Sequence, residues 1–86
     1  MARIEIYTTP TCGYCAAAKG LLRQKGASYE ETDVSRDPEL RRRMTQRALG
    51  RRTVPQIFID GRHVGGCDDL FALERAGRLD LLLAGP

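Results

Sequence analysis

The 86-residue sequence has no tryptophan, only two phenylalanines and one histidine, and no long apolar run. A helix that spans a bilayer needs about 20 consecutive apolar residues, and no stretch of the chain approaches that length. The opening residues, Met1–Tyr7, lack the apolar region of a secretory signal. We therefore expect a cytoplasmic protein without a membrane partner. Its length predicts a single domain over residues 1–86.

Cysteine is also scarce, with three residues in the chain. Structural disulfides belong to oxidising compartments, whereas glutathione and thioredoxin keep cytosolic thiols reduced. Three cysteines in a cytoplasmic protein therefore indicate redox chemistry or metal binding rather than a disulfide framework. Two of them form the motif Cys12-Gly13-Tyr14-Cys15.

Negative charge is scarce between Arg36 and Arg52, where seven arginines accompany Asp37 and Glu39. Such a basic stretch suits an anionic partner, and glutathione, an acidic protein or nucleic acid would all qualify. No aromatic residue is interleaved with these arginines, as base stacking would require, so we expect no nucleic-acid partner. For the part from Arg41 to Arg47 we favour a solvated helix face.

The hydrophobic periodicity predicts an α/β fold with the element order βαβαββα. Asp37 and Pro38 suit the cap and first position of the second helix, and Asp60-Gly61 favours a tight hairpin. This order is that of a thioredoxin-like fold, a four-stranded mixed sheet flanked by helices. The predicted strands are Arg3–Thr8, Ser28–Val34, Gln56–Ile59 and Arg62–Val64, the helices start at Gly13, Pro38 and Asp68 or Asp69, and a terminal segment with Leu79 and Leu81–Leu83 covers the core.

Cys12 lies where the first predicted strand gives way to a helix. Unpaired N–H groups and the helix dipole favour negative charge at a helix N-terminus, so this position stabilises the Cys12 thiolate. Cys15 follows three residues later on the same helical face, close enough to attack a mixed disulfide at Cys12 and better buried. The pattern predicts that Cys12 is the nucleophile and Cys15 the resolving cysteine.

Two other interpretations of the cysteines compete with redox chemistry. Cys12, Cys15, His63 and Cys67 formally make a Cys3His zinc set. The 47 residues between Cys15 and His63 contain a regular core, however, so we expect no metal there and place His63 at the surface of a hairpin strand. The second alternative, a structurally inert pair, is disfavoured because a C-x-x-C at a strand-to-helix junction is typical of redox motifs.

Three blocks of the chain resemble glutaredoxins, especially the small bacterial dithiol class: Ile6–Thr8 with Thr11–Cys15, then Thr53–Ile59, then Gly65–Leu70. The resemblance covers nearly the whole chain. It implies a monomeric, glutathione-dependent thiol–disulfide oxidoreductase that reduces glutathione mixed disulfides and protein disulfides. Glutathione would be the co-substrate, and no cofactor would be required. The implied partners are glutathionylated or disulfide-bearing proteins, with ribonucleotide reductase as a family-level expectation.

The resemblance also implies a glutathione site, with a cis bond before Pro55 and the Val54 backbone paired with the cysteinyl part of the tripeptide. Backbone N–H groups at Cys67 and Asp68 would hold the γ-glutamyl carboxylate. Asp68 or Asp69 would meet its ammonium group, and Arg51 or Arg52 the glycyl carboxylate. Tyr14 would shield the sulfur, and the Cys67 thiol is expected to be passive. The implied set is Tyr14, Arg51, Arg52, Thr53, Val54, Pro55, Gly66, Cys67, Asp68 and Asp69.

Two residues depart from the usual glutaredoxin pattern. Gly13 replaces a proline, and some glutaredoxins with glycine there hold a [2Fe–2S] cluster between two subunits; a cluster carrier or sensor is therefore our alternative function. Thr8 stands where many relatives have a lysine, and Lys19, roughly two turns along the helix, is not expected to replace it fully. A redoxin reduced by thioredoxin reductase is a third alternative, against which the glutathione-binding block Gly65–Asp69 argues.

Overall fold

The computed structural model describes residues 2–85. The sheet contains, from edge to edge, the strands Glu30–Asp33, Ile4–Thr8, Gln56–Ile59 and Arg62–Gly65, of which the first two are parallel and the other two neighbouring pairs antiparallel. The predicted thioredoxin-like fold with a four-stranded mixed sheet is confirmed. Within the described residues, no helix is both long enough and apolar enough to span a bilayer. The elements are β1 (Ile4–Thr8), α1 (Gly13–Gln24), β2 (Glu30–Asp33), α2 (Pro38–Arg47), β3 (Gln56–Ile59), β4 (Arg62–Gly65), α3 (Cys67–Arg75) and α4 (Leu79–Ala84).

Local signals place most of these boundaries. The Asp37 carboxylate accepts the Glu39 N–H at 2.9 Å and so caps α2, with Pro38 as its first residue. Asp60 and Gly61 both have positive φ, 52° and 78°, as a type I′ hairpin requires. The strand predicted over Ser28–Val34 is shorter in the structure, because β2 pairs with β1 only from Glu30 to Asp33.

One face of the sheet carries the main hydrophobic core. Side chains alternate along a strand, so Ile4 and Ile6 of β1 share this face with Ile57 and Ile59 of β3; all four are at most 3% exposed. The predicted terminal segment forms α4 and covers the core through Leu79 and Leu83, as expected. The other buried core residues are Ala18, Leu21 and Leu22 of α1 and Cys67 and Leu70 of α3.

The opposite face of the sheet is held by Arg47, the last residue of α2. Its guanidinium donates to both carboxylate oxygens of Glu5, at 2.9 and 3.2 Å, and to the Tyr7 hydroxyl at 2.9 Å. The same group lies 4.0 Å from the centre of the Phe58 ring, a cation–π contact. The prediction of a solvated face through Arg47 is therefore wrong, because the sheet presents a carboxylate and two rings to the end of α2.

We predict that Arg47→Met lowers the free energy of unfolding by about 1–2 kcal/mol, as expected for lost hydrogen bonds to a partly exposed charged group. The Arg47 side chain is 34% exposed, whereas Arg42 is 65% exposed and pairs with Glu39 on its own helix. Arg42→Met is the matched control, with an expected change below about 0.5 kcal/mol. Urea unfolding at neutral pH measures both, and equal losses would contradict the role of Arg47.

The difference between wild type and Arg47→Met also depends on pH. Hydrogen bonding to Arg47 lowers the pKa of Glu5 in the folded protein. A carboxylate with a lowered folded pKa stabilises the protein above its unfolded value, about 4.3, and loses that contribution as the pH falls. The stability gap should therefore shrink below about pH 4.

Candidate active site

Cys12 is the N-cap residue of α1, with an extended backbone at φ −97° and ψ 114°. Its sulfur accepts the Cys15 N–H at 3.2 Å, and its thiol group donates to the Val54 carbonyl at 3.6 Å. The half-buried sulfur thus takes one of the N–H groups that every helix start leaves unpaired, where negative charge is favoured. The structure thereby places Cys12 at the helix start and against the loop that precedes β3.

Cys15 lies in the first turn of α1 and is only 1% exposed. Burial, first of all, and the neighbouring Cys12 sulfur raise the pKa of Cys15 to about 12, against smaller lowering effects from a Thr9 backbone hydrogen bond and the Lys19 charge. Cys15 is therefore a protonated, enclosed thiol near neutral pH. The two thiols differ in access, because the Cys12 sulfur is half-buried whereas Cys15 is enclosed.

A groove with a volume of about 290 Å³ opens beside Cys12. The Val54–Pro55 peptide bond at its edge is cis. All the residues predicted for glutathione line this groove except Arg52 and Asp69. Tyr14 is 67% exposed at the mouth. The lining residues are Tyr14, Arg51, Thr53, Val54, Pro55, Gly66, Cys67 and Asp68.

Asp69 caps α3 instead of lining the groove. Its carboxylate accepts the Gly66 N–H at 2.8 Å and pairs with the Arg51 guanidinium at 3.0 Å. The Gly66 hydrogen bond, first of all, and Arg51 hold the pKa of Asp69 below its usual range. Gly65, at φ +122°, passes so close that a Cβ there would collide with the Asp69 carboxylate. Asp69 therefore holds the Arg51 guanidinium at the groove. The carboxylate that lines the groove itself is that of Asp68.

Helix α3 begins one residue before Asp68 and two before Asp69, the two predicted starts. The helix begins at Cys67, with Gly66 as its N-cap. Asp69 reaches back from the third helical position to the N-cap N–H, the acidic half of a capping box. The expected helix start at Asp68 or Asp69 is wrong because Asp69 caps from inside the helix.

Arg52 is exposed and does not belong to the groove. Its backbone carbonyl accepts a hydrogen bond from the Arg41 side chain of α2 at 3.0 Å. Of the two candidate arginines, the structure therefore brings Arg51 to the lining and uses Arg52 to tie the loop to α2.

Two polar residues, Gln56 and His63, support the groove in a way that the sequence did not predict. Gln56 is fully buried, and its amide donates to the Thr53 carbonyl at 3.0 Å and hydroxyl at 3.3 Å. His63 lies 2.7 Å from the Gln56 amide oxygen, which can only accept, so His63 donates.

The expected surface position of His63 is wrong: it is half-buried against Phe58. Burial, first of all, and the Arg51 charge lower the pKa of His63. The available signal was a glutamine beginning a strand that is otherwise apolar.

The cysteines and His63 do not form the zinc set considered above. Within the described residues, no group of three or more His, Cys, Asp or Glu side chains is arranged to hold a metal ion. His63 is engaged by Gln56, while Cys12 and Cys15 lie together at the start of α1.

A family model described as Glutaredoxin matches residues 4–64. The chain is 54% identical to Glutaredoxin 3 of Escherichia coli K12 over 83 residues, which cover 96% of this chain and 99% of that protein. The solution structure of glutaredoxin from Brucella melitensis is 59% identical, with a TM-score of 0.85 over 96% of this chain and 89% of that one. The crystal structure of the buckwheat glutaredoxin–glutathione complex is 32% identical, with a TM-score of 0.87 over 96% and 77% of the two chains.

We predict that iodoacetamide at pH 7 modifies Cys12 at least about tenfold faster than Cys15 or Cys67, because only thiolates react and access controls the rate. Burial raises the pKa of both slower cysteines. Peptide mass spectrometry of the reduced protein after short exposure measures the three rates. In a urea-unfolded control, the three should react at similar rates. Equal reactivity of Cys15 and Cys12 in the folded protein would contradict the site geometry.

Proposed function

The chain belongs to the glutaredoxin family, and from that premise we propose that it is a glutathione-dependent thiol–disulfide oxidoreductase with Cys12 as nucleophile and Cys15 as resolving cysteine. One observation carries the proposal. The Cys12 sulfur lies at a helix N-terminus, 3.6 Å from the Val54 carbonyl at the edge of a groove lined by a cation, backbone amides and a carboxylate.

Glutathione offers two carboxylates, an ammonium group and a thiol, and the groove has a complement for each charge. In the proposed complex Arg51 meets the glycyl carboxylate, and the N–H groups of Cys67 and Asp68 at the start of α3 meet the γ-glutamyl carboxylate. The Asp68 side chain meets the ammonium group. The Val54 backbone pairs with the cysteinyl unit and directs its sulfur to Cys12. The buckwheat relative is itself described as a glutathione complex, which supports this ligand.

In the proposed reaction, the Cys12 thiolate attacks the glutathione sulfur of a mixed disulfide, and the protein thiolate leaves and takes up a proton. A second glutathione thiolate then attacks the glutathione sulfur bound to Cys12. Oxidised glutathione leaves and the Cys12 thiolate is restored. This route needs one protein thiol.

Protein disulfides would follow a second route through Cys15. The Cys12 thiolate forms a mixed disulfide with the substrate, and the Cys15 thiolate then attacks the Cys12 sulfur. The Cys12–Cys15 bond forms as the substrate thiolate leaves, and two glutathione molecules restore the dithiol. Because Cys15 is only 1% exposed, it is suited to attack its neighbour rather than an outside disulfide.

We predict that Cys12→Ser abolishes both routes, whereas Cys15→Ser keeps reduction of glutathione mixed disulfides at the same order of rate and loses dithiol reduction of protein disulfides. The physical reason is that the first route never uses the second thiol. A glutathione-coupled assay on a glutathionylated peptide and on a protein disulfide separates the routes. Complete loss of the first activity in Cys15→Ser would refute the division of roles.

The second candidate function, carriage of a [2Fe–2S] cluster between two subunits, would use the same thiol. The donor chemistry fits, because such clusters take thiolate ligands, and the groove would bring the glutathione thiol beside the half-buried Cys12 sulfur. The space around Gly13, between the two cysteines, is not occupied by other parts of the described chain. Among the described residues, a Cβ at this position would meet no atom within 4 Å apart from its chain neighbours and the nearby backbone of its own helix.

If disulfide reduction is the main role, we expect protein purified anaerobically with glutathione to be colourless and monomeric. An absorption spectrum recorded together with size-exclusion chromatography tests this expectation. A brown, glutathione-dependent dimer would instead establish the cluster function.

A further inference from the structure

A hydroxyl, a carboxylate and an ammonium group form a hydrogen-bonded chain that joins β1, β2 and α1. Thr8, the last residue of β1, is 2% exposed, and its hydroxyl donates to Glu31 Oε2 at 2.7 Å. The same oxygen accepts from the Lys19 ammonium at 2.9 Å. The Thr8 hydroxyl, first of all, and Lys19 lower the pKa of Glu31, so the carboxylate is ionised at neutral pH. Lys19 of α1 is thus held by Glu31 of β2, whose carboxylate is in turn fixed by Thr8 of β1.

Lys19 shares a face of α1 with Cys15. Residues four apart on a helix have Cβ atoms about 5–6 Å apart, so the Lys19 stem lies one turn from the buried thiol. The Lys19 charge lowers the pKa of Cys15, in opposition to the larger effect of burial. The Lys19 side chain is itself only 21% exposed, which limits solvent screening of its charge.

The other polar groups near this pair come from three elements. At the end of β1, a Thr9 backbone group bonds to Cys15. On α1, Cys12 is the other thiol. On α3, Cys67 faces Cys12 and has Asp68 beside it. None of these groups carries a positive charge, and among the described residues Lys19 is the cation that acts on Cys15. The Glu31 carboxylate faces Lys19 and is itself influenced by the charge of Arg23 on α1.

Building on the proposed function, we propose that Lys19 and Glu31 are positioning residues for the resolving step, with Thr8 as the tether that fixes Glu31. In that step Cys15 releases its proton to solvent, and its thiolate attacks the Cys12 sulfur of a mixed disulfide. The Cys12–Cys15 bond forms, the bond from Cys12 to the substrate sulfur breaks, and the substrate leaves as a thiolate. Negative charge therefore appears on an enclosed sulfur one helical turn from Lys19, and a charge acts more strongly at an enclosed site than in water.

The two routes of the enzyme should respond differently to the Lys19 charge. Reduction of a glutathione mixed disulfide never forms the Cys15 thiolate, so the Lys19 charge should leave it unchanged. Closure of the Cys12–Cys15 disulfide requires that thiolate. A residue with only a structural role would alter both steps or neither.

The experiment is rapid mixing of the reduced protein with oxidised glutathione, acid quenching, and mass spectrometry of the products. It yields the rate at which the Cys12–glutathione adduct forms and the rate at which it converts to the Cys12–Cys15 disulfide. In Lys19→Met we expect unchanged adduct formation and several-fold slower conversion, up to about tenfold for each unit by which the pKa of Cys15 rises. The pH profile of conversion should move to higher pH. Lys19→Arg should restore the rate, and Thr8→Val should slow conversion more weakly.

Lys25 offers a matched control. It caps the other end of α1, is 20% exposed, and pairs with Glu74 at 2.8 Å and Asp80 at 3.0 Å. Lys25→Met removes a comparable half-buried ion pair and should leave both rates unchanged. A conversion rate and pH profile in Lys19→Met equal to wild type would overturn the inference. So would slowing confined to adduct formation, which would place the effect of Lys19 on Cys12.

A second experiment tests the role of Lys19 independently of the proposed glutathione function. If the wild type forms no adduct with oxidised glutathione, the glutathione proposal fails. Conversion is then started with 5,5′-dithiobis(2-nitrobenzoate), which forms a Cys12 mixed disulfide without a glutathione site. Slower closure in Lys19→Met with this reagent would support the inference by itself, and equal closure would overturn it.

Discussion

A helix start leaves N–H groups without partners, and in α1 a cysteine sulfur meets one of them. The Cys12 sulfur accepts the Cys15 N–H, so the cap and the proposed nucleophile are the same atom. Residues that usually cap helices carry an oxygen, whereas here a thiol group lies at the point where the helix dipole favours negative charge. Cys15, three positions after the cap, lies in the first turn of the same helix and is buried.

A second helix start faces the same groove. Gly66 caps α3, and the Asp69 carboxylate binds the Gly66 N–H together with Arg51. The groove therefore lies between two helix N-termini, one with a thiol and one with backbone amides suited to an anionic ligand. Both helices pack on the isoleucine face of the sheet, which sets their relative position. The hydrophobic core thus positions the two halves of the site.

The arginines between Arg36 and Arg52 make different structural contacts, which the composition of the stretch does not reveal. Arg47 fastens α2 to Glu5 and Phe58, Arg41 holds the Arg52 carbonyl, and Arg51 lines the groove. On the inner side of the same loop, buried Gln56 binds the Thr53 carbonyl. The loop before β3 is consequently held from both sides. Its rigidity fits a site whose ligand would be bound through the Val54 backbone.

The sequence by itself determined the features that depend on near neighbours. Periodicity identified the strands and helices, Asp37 identified a cap, Asp60-Gly61 identified a hairpin, and the C-x-x-C motif indicated the candidate nucleophile. These signals are local because turn and cap chemistry acts within about four residues. The resemblance to glutaredoxins added the groove residues, which are scattered in the chain.

Only the tertiary structure decided which of several similar polar or charged residues contributes to the site and which partner each one contacts. Arg51 rather than Arg52 lines the groove because Asp69, 18 residues away, binds it. His63 meets Gln56 because β3 and β4 pair, and Lys19 is fixed beside Cys15 because Glu31 lies on a strand that packs next to β1. Contacts of this kind depend on where the chain returns in space. A one-dimensional pattern shows that a charge or a polar group is present, but the fold selects its partner.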